Sequence, residues 1–298
     1  GIRYEYGIFK QKFQKGFQIE EGDNWLGLGD PWSIRKDTDS VIVDFADESV
    51  LAIPYDTPII GYGGESINTL RLWQAEAISD FNLEAFNEQN YPLAVQEKNN
   101  AEIINKVLYP NDDKTEGKIL RLKQQYFFVS ASLQDLIRKH LEIYNSLDNF
   151  HKLHGIQLND THPSIAIPEM MRILTREYNM GWEKAWNIVV NTFAYTNHTI
   201  LQEALEQWPI DIYKSVVPHI YEVVEEIDKR LLVELQGKGI PKEEIRNYKI
   251  IEDNNVKSAY LSIYGTHSTN GVAKVHSDIL AYKELNNWYK LYPGRFNN

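Results

Sequence analysis

Hydrophobic positions change their period along the chain, and the change divides it. Residues 1–80 read as mainly β, and residues 81–298 as α/β. Ile2-Arg3-Tyr4-Glu5-Tyr6 alternates, residues 13–20 do so loosely, and residues 41–43 and 50–53 are short β-branched runs. Gly27-Leu28-Gly29-Asp30-Pro31, residues 54–58 and Gly61-Tyr62-Gly63-Gly64 punctuate them as turns. No Lys-Ser/Thr pair follows Gly64, so that run is not a phosphate loop. Residues 67–75 predict a further strand, with Leu70, Leu72 and Ala75 apolar.

From residue 84 the spacing is helical, through Leu93, Val95, Ile103, Ile104, Val107 and Leu108. Tyr109-Pro110-Asn111-Asp112-Asp113-Lys114-Thr115-Glu116-Gly117 then forces a loop, because Pro, Asn, Asp and Gly favour turn geometry. It is either an exposed turn or a gate carrying amide and carboxylate groups. A long helix is predicted over residues 118–144, with a stripe of Leu122, Tyr126, Val129, Leu133, Leu136, Ile137, Leu141 and Tyr144.

In Gly155-Ile156-Gln157-Leu158-Asn159-Asp160-Thr161-His162-Pro163 an apolar run ends in polar groups, and helical periodicity resumes over residues 165–174. That predicts strand, loop and helix. Asp160 and His162 either face a ligand or cap the helix. The design recurs. A helical face of Trp182, Ala185, Trp186, Val189, Val190 and Phe193 runs into Ala194-Tyr195-Thr196-Asn197-His198-Thr199, and residues 200–208 look helical. Residues 213–236 form a long, charged helical region ended by Gly237-Lys238-Gly239-Ile240-Pro241. Residues 259–264 alternate like a strand, followed by the loop Gly265-Thr266-His267-Ser268-Thr269-Asn270-Gly271 and a helix from Val272. Asn159 with His162, Asn197 with His198, and His267 with Asn270 thus stand in comparable places. Repetition suggests one polar pocket along one sheet edge.

Composition narrows the chemistry. The 298 residues carry a formal net charge of −11, a poor match to a phosphate backbone. There is no cysteine, so disulfides and thiolate metal sites are excluded. No apolar run approaches a membrane span, and the start is not a signal peptide. Its first residue is Gly1 within a strand-like pattern, as in a chain cut from something longer. Neutral Asn, His and Thr with a few carboxylates suit a ligand covered in hydroxyls. The alternatives are a metal-dependent hydrolase using His162, His198, His267 and Asp160, and a sugar-binding module without chemistry. Against the first, no His-x-x-x-His or Glu-x-x-His pair is present among them. No Gly-x-Ser-x-Gly elbow supports a serine hydrolase.

The chain resembles the α-1,4-glucan phosphorylases of glycogen, starch and maltodextrin. The resemblance rests on collinear runs: residues 1–9, Pro54-Tyr55-Asp56-Thr57-Pro58, Asn68-Thr69-Leu70-Arg71-Leu72-Trp73, Val107-Leu108-Tyr109-Pro110-Asn111-Asp112 and Leu120-Arg121-Leu122-Lys123-Gln124. Residues 157–163, Tyr195-Thr196-Asn197-His198-Thr199, Glu203-Ala204-Leu205-Glu206 and residues 267–273 complete it. It implies the Rossmann-like N-terminal lobe of a GT-B fold, incomplete here. It implies a cytoplasmic, homodimeric enzyme that binds neither nucleic acid nor membrane. That enzyme cleaves terminal α-1,4-linked glucose with inorganic phosphate to glucose 1-phosphate, with retention. Pyridoxal 5′-phosphate is held there by a lysine of a second lobe, which has no counterpart in this chain.

Carried over by position, the resemblance makes His198 the catalytic-subsite residue. Its side chain contacts the sugar 6-hydroxyl, and its backbone carbonyl faces charge developing at the anomeric carbon. Asp160, His162 and Glu203 belong to the acceptor subsites, with Asn197 and Thr199 beside His198. Tyr109 stacks on a sugar ring, Asn111, Asp112 and Asp113 form a gate loop, and Arg121 stands behind it. Asn270 and Val272 line the glucose pocket. Asn is common in the family at Asp113, and Pro at Gln202. Residues 37–51 are short compared with animal enzymes, so animal-type allosteric sites are not implied. The chain alone is expected neither to bind the cofactor nor to turn over. A pyridoxal absorbance band, or glucose 1-phosphate released by the purified chain, would overturn that.

Overall fold

A computed structural model describes residues 1–201 and 204–298. They fall into two compact units, Gly1–Asp135 and Leu136–Asn298.

The first unit is built on antiparallel strands. β1 (Gly7–Gln14) and β2 (Phe17–Asp23) form a hairpin. Its turn, Lys15-Gly16, has φ of 52° and 81°, the doubly left-handed geometry that matches strand twist. β3 (Ile34–Arg35), β4 (Val41–Asp44), β5 (Ser49–Ile60) and β6 (Ile67–Ala77) make the main sheet. β5 pairs with β6 from Val50↔Ala77 to Ile60↔Ile67, and with β3 and β4 as well. Short helices follow: α1 (Leu83–Asn87), α2 (Tyr91–Ala94) and α3 (Gln96–Ile103). α4 (Thr115–Tyr144) begins in this unit, and its Leu122, Tyr126, Val129 and Leu133 are buried, as their spacing predicts. Trp73 is also buried, and its indole N–H donates to Ser132 Oγ at 3.0 Å.

One cation organises this unit. Arg71 on β6 donates to both carboxylate oxygens of Asp56 at 2.7 Å, to Asp39 at 2.8 Å and to Asp135 at 2.9 Å. The guanidinium fork suits the bidentate pair, and the extra carboxylates use its remaining donors.

The second unit is α/β with a parallel sheet. α5 (Phe150–Leu153), β7 (Ile156–Asn159), α6 (Ala166–Arg172), α7 (Trp182–Thr192) and β8 (Phe193–Thr196) come first. β9 (Gln207–Pro209), α8 (Ile210–Val216), α9 (Pro218–Gly237), α10 (Lys242–Ile245), β10 (Ile251–Glu252) and β11 (Asn255–Lys257) follow. α11 (Ser258–Tyr264), β12 (Ser268–Asn270), α12 (Lys274–Ile279), α13 (Asn286–Leu291) and β13 (Phe296–Asn297) end the chain. The parallel sheet runs β13-β12-β8-β7, and β9, β10 and β11 form a small antiparallel sheet. Phe193, Tyr195 and Leu158 point from β8 and β7 into the core.

Four expectations are corrected. Residues 54–58 are not a turn but lie within β5, paired with residues 69–73 of β6. Residues 259–264 are helix rather than strand: every residue of α11 is buried, so no polar face marks its period. Residues 207–209 are strand, where a helical pattern was expected to run on to Trp208. The 213–236 helical region breaks at Val217, because Pro218 cannot continue α8 but opens α9 well.

The approach to β7 is fixed by two imidazoles. His140 Nε2 faces Ser146 O at 2.8 Å and Asn149 Oδ1 at 3.1 Å, so it carries a proton. His140 Nδ1 then accepts from His154 Nε2 at 3.0 Å. Burial, and secondarily His140, lower the His154 pKa from 6.5.

Two outcomes follow. Arg71→Met leaves three carboxylates around an apolar chain and should cost about 3 kcal/mol in urea unfolding; an unchanged midpoint would refute the role. Because unfolded His154 binds a proton more readily than folded His154, its contribution is complete above pH 6.5 and is lost as pH falls below it. His154→Phe should flatten that acid-side slope, and an identical slope in the variant refutes the assignment.

Candidate functional site

Parallel pairing in the second unit aligns Asn159 with Thr196, and Thr196 with Asn270. The strand ends therefore form a row of polar side chains at the carboxyl edge, where open α/β sheets bind ligands. A directed relay crosses it. Gln157 Nε2 donates to Thr196 Oγ1 at 2.8 Å, Thr196 Oγ1 donates to Asn270 Oδ1 at 3.1 Å, and Asn270 Nδ2 donates to Gly271 O at 2.8 Å. A hydroxyl has one proton, so Thr196 fixes the direction and the orientation of both amides.

His198 is exposed, and its Nε2 lies 2.6 Å from Asn159 Oδ1. An oxygen partner assigns the proton to Nε2. In the neutral ring Nδ1 is left as an acceptor for a hydroxyl. Asn197 is fully buried and faces inward. Its Nδ2 donates to Tyr195 Oη at 2.8 Å, and its Oδ1 accepts the Thr199 N–H at 2.8 Å. Burial pushes the Tyr195 hydroxyl pKa up, Asp160 and Glu206 add to the shift, and Asn197 opposes it. Asn197 therefore braces the loop that carries His198 and half-buried Thr199.

Asp160 has φ of 69°, a left-handed conformation that Asp tolerates better than most residues. Its N–H donates to Thr196 O at 2.9 Å, and its Oδ1 accepts the adjacent Thr161 N–H at 2.8 Å. The carboxylate is thus tied to the loop itself rather than to the following turn. His162 opens a 3-10 turn, His162–Ile165, and is half-buried. Asn270 ends β12, and the Val272 side chain is exposed. Glu203 lies outside the described residues, as does Gln202.

His267 departs from the repeated pattern. It precedes β12, its N–H donates to Phe193 O at the start of β8, and its Nδ1 faces Val190 O. The strand is residues 268–270, not 259–264, so His267 stands at the amino edge. Among the described residues no three His, Asp or Glu side chains are arranged to hold a metal ion.

The first unit carries the other candidates. Tyr109 is exposed with φ of 51°. Asn111 folds onto Asp113: its Oδ1 accepts the Asp113 N–H at 2.9 Å, and its Nδ2 donates to Asp113 Oδ2 at 3.1 Å. Arg121 donates to Asp112 Oδ2 at 2.5 Å. Gly117 makes the loop possible, since a Cβ there would sit 1.9 Å from Asn111 O and 2.9 Å from Asp112 Cα.

Pattern-reading placed Asn159 at this edge but missed the roles of Gln157, Thr196 and Tyr195. The signal was period two: Gln157 and Asn159 share one face of β7, as Thr196 and His198 continue one face of β8.

Comparison with known proteins bears on the whole chain. The model of the carbohydrate phosphorylase family matches residues 1–298. A glycogen phosphorylase of Synechocystis is 43% identical over 322 residues, and the muscle form of human glycogen phosphorylase 44% over 325. The liver form from Ovis aries is 45% identical over 325 residues. All of this chain is covered, but it spans only 38% of the length of these relatives.

Gly117→Ala should displace the 111–113 loop while leaving α4 helical, because backbone cannot yield as a side-chain end does. Backbone amide shifts confined to residues 109–117 are expected; a spectrum unchanged there would refute the contact.

Proposed function

The chain belongs to the carbohydrate phosphorylase family, and we propose that it supplies part of the glucan-binding lobe of an α-1,4-glucan phosphorylase. The lobe is Rossmann-like and belongs to a GT-B architecture, in a cytoplasmic homodimer acting on α-1,4-glucan and inorganic phosphate. The enzyme transfers the terminal glucosyl unit to phosphate with retained configuration.

One observation carries the reading. Three neighbouring parallel strands end in Asn159, Thr196 and Asn270, and His198 leans on the first of them with Nδ1 available to a hydroxyl. Neutral donors and acceptors with fixed direction suit a sugar, whose hydroxyls each give and take one hydrogen bond. In this reading His198 and Asn270 hold the glucosyl unit, with Val272 against its apolar face. The His198 carbonyl faces developing positive charge, and a preorganised dipole acts there at no reorganisation cost. Asp160, His162 and Glu203 position the acceptor glucan. Tyr109 stacks on a sugar, and residues 111–113 with Arg121 contact glucan from their own unit.

Pyridoxal 5′-phosphate does not fit the edge described. Its side chains are Gln157, Asn159, Asp160, Thr196, His198 and Asn270, with no lysine for an imine and no fixed cation for a phosphate. No cofactor chemistry is therefore assigned to this edge.

Maltopentaose titrated into the purified chain should shift the resonances of His198, Thr199 and Asn270. His198→Ala should weaken binding roughly tenfold, the loss of about one charge-free hydrogen bond of 1–1.5 kcal/mol. Shifts confined to other surfaces, or unchanged affinity in the variant, would sink the reading.

A further inference from the structure

A second imidazole lies beneath this edge, and neither the pattern of the sequence nor the proposed chemistry uses it. His276, on α12, is only 3% exposed. Its Nδ1 accepts the backbone N–H of Val272 at 3.1 Å. A peptide N–H can only donate, so this nitrogen carries no proton. The neutral ring then carries its proton on Nε2, which faces Thr199 O at 3.4 Å. A carbonyl can only accept, so both partners demand the same tautomer. The second contact is longer and weaker than the first.

The two partners belong to different loops. Thr199 follows His198 after β8, and Val272 follows Asn270 and Gly271 after β12. We propose that His276 is a positioning residue that holds these two loops at a fixed separation, so that His198 and Asn270 meet the same sugar unit. The inference rests on the glucan reading given above, but its structural half stands without it.

Three further contacts show how close the fit is. Asn197 N–H donates to Asn270 O at 2.8 Å, bridging the loops at the strand ends. The Gly271 N–H donates to Ser277 Oγ at 3.0 Å, on the residue after His276. A Cβ at Gly271 would lie 2.8 Å from Ser277 N and 3.0 Å from His276 Cγ, so the backbone reaches the ring only because Gly271 has none. The edge bridge fixes the loops where they leave the sheet, and His276 fixes them again beyond it. Two attachments define a separation; one alone leaves a hinge. The second spares a ligand part of the ordering that binding otherwise requires.

Amide hydrogen exchange on the purified chain, with maltopentaose titration alongside, tests this. His276→Phe keeps a flat ring but removes both nitrogens. The Val272 amide should then exchange roughly tenfold faster, the equivalent of one lost hydrogen bond, while β8 amides keep their protection. Maltopentaose affinity should fall several-fold. His276→Asn places an amide oxygen near the Nδ1 position, so it should restore Val272 protection without restoring full affinity. If His276→Phe strips protection from β8 as well, His276→Gln decides: selective loss at Val272 supports the role, and retained protection overturns it. Unchanged Val272 exchange in His276→Phe also overturns it. Absence of maltopentaose binding to the unsubstituted chain would instead refute the glucan reading and leave the exchange result standing.

Discussion

The candidate site depends on the register of three short parallel strands. β7, β8 and β12 contribute few residues each, so a slip of one position would turn every side chain to the other face. Held in register, Asn159, Thr196 and Asn270 stand side by side, and the relay through the Thr196 hydroxyl becomes possible. Register in turn is set by burial. Leu158, Phe193 and Tyr195 point into the core, which leaves their alternate neighbours Gln157, Asn159 and Thr196 for the open face. A hydrophobic requirement on one face thereby fixes the geometry of a polar array on the other.

That logic explains what the sequence discloses. The stripe of α4 is long enough for its period to be unmistakable, and Leu122 through Leu133 are buried accordingly. Strand ends near Asn159 and Asn197 are visible because apolar runs stop abruptly in polar residues. α11 is not, since a short run buried on all sides has no face to display. Because the strand is residues 268–270 rather than 259–264, His267 lies at the opposite end of β12 from the edge that carries His198. The hydrogen-bond relay and the His276 contacts were beyond reach for another reason. The bonds from Gln157 to Thr196, Thr196 to Asn270 and His276 to Thr199 O join residues far apart in the chain, and only the pairing of strands brings them together.

The two units manage polar groups differently. In the first, Arg71 gathers carboxylates from several parts of the chain, and Asn111, Asp112, Asp113 and Arg121 satisfy one another locally. In the second, neutral amides and imidazoles hold the edge together, and charge is sparse there. The first loop is held by pairing among its own groups, whereas the edge is braced from beneath by buried Asn197 and His276.

The Asn270-Gly271 step has a consequence for the lifetime of the molecule. An asparagine followed by glycine is the pair most prone to cyclise, because an unhindered backbone nitrogen can attack the side-chain amide and leave an aspartate or its isomer. Here the Gly271 nitrogen is engaged with Ser277, and the Asn270 amide is held by Thr196 and Gly271 O. The contacts that aim Asn270 also restrain both the nucleophile and the electrophile. Chemical ageing at this position should therefore quicken when the relay opens, which makes it a reporter of unfolding at the edge.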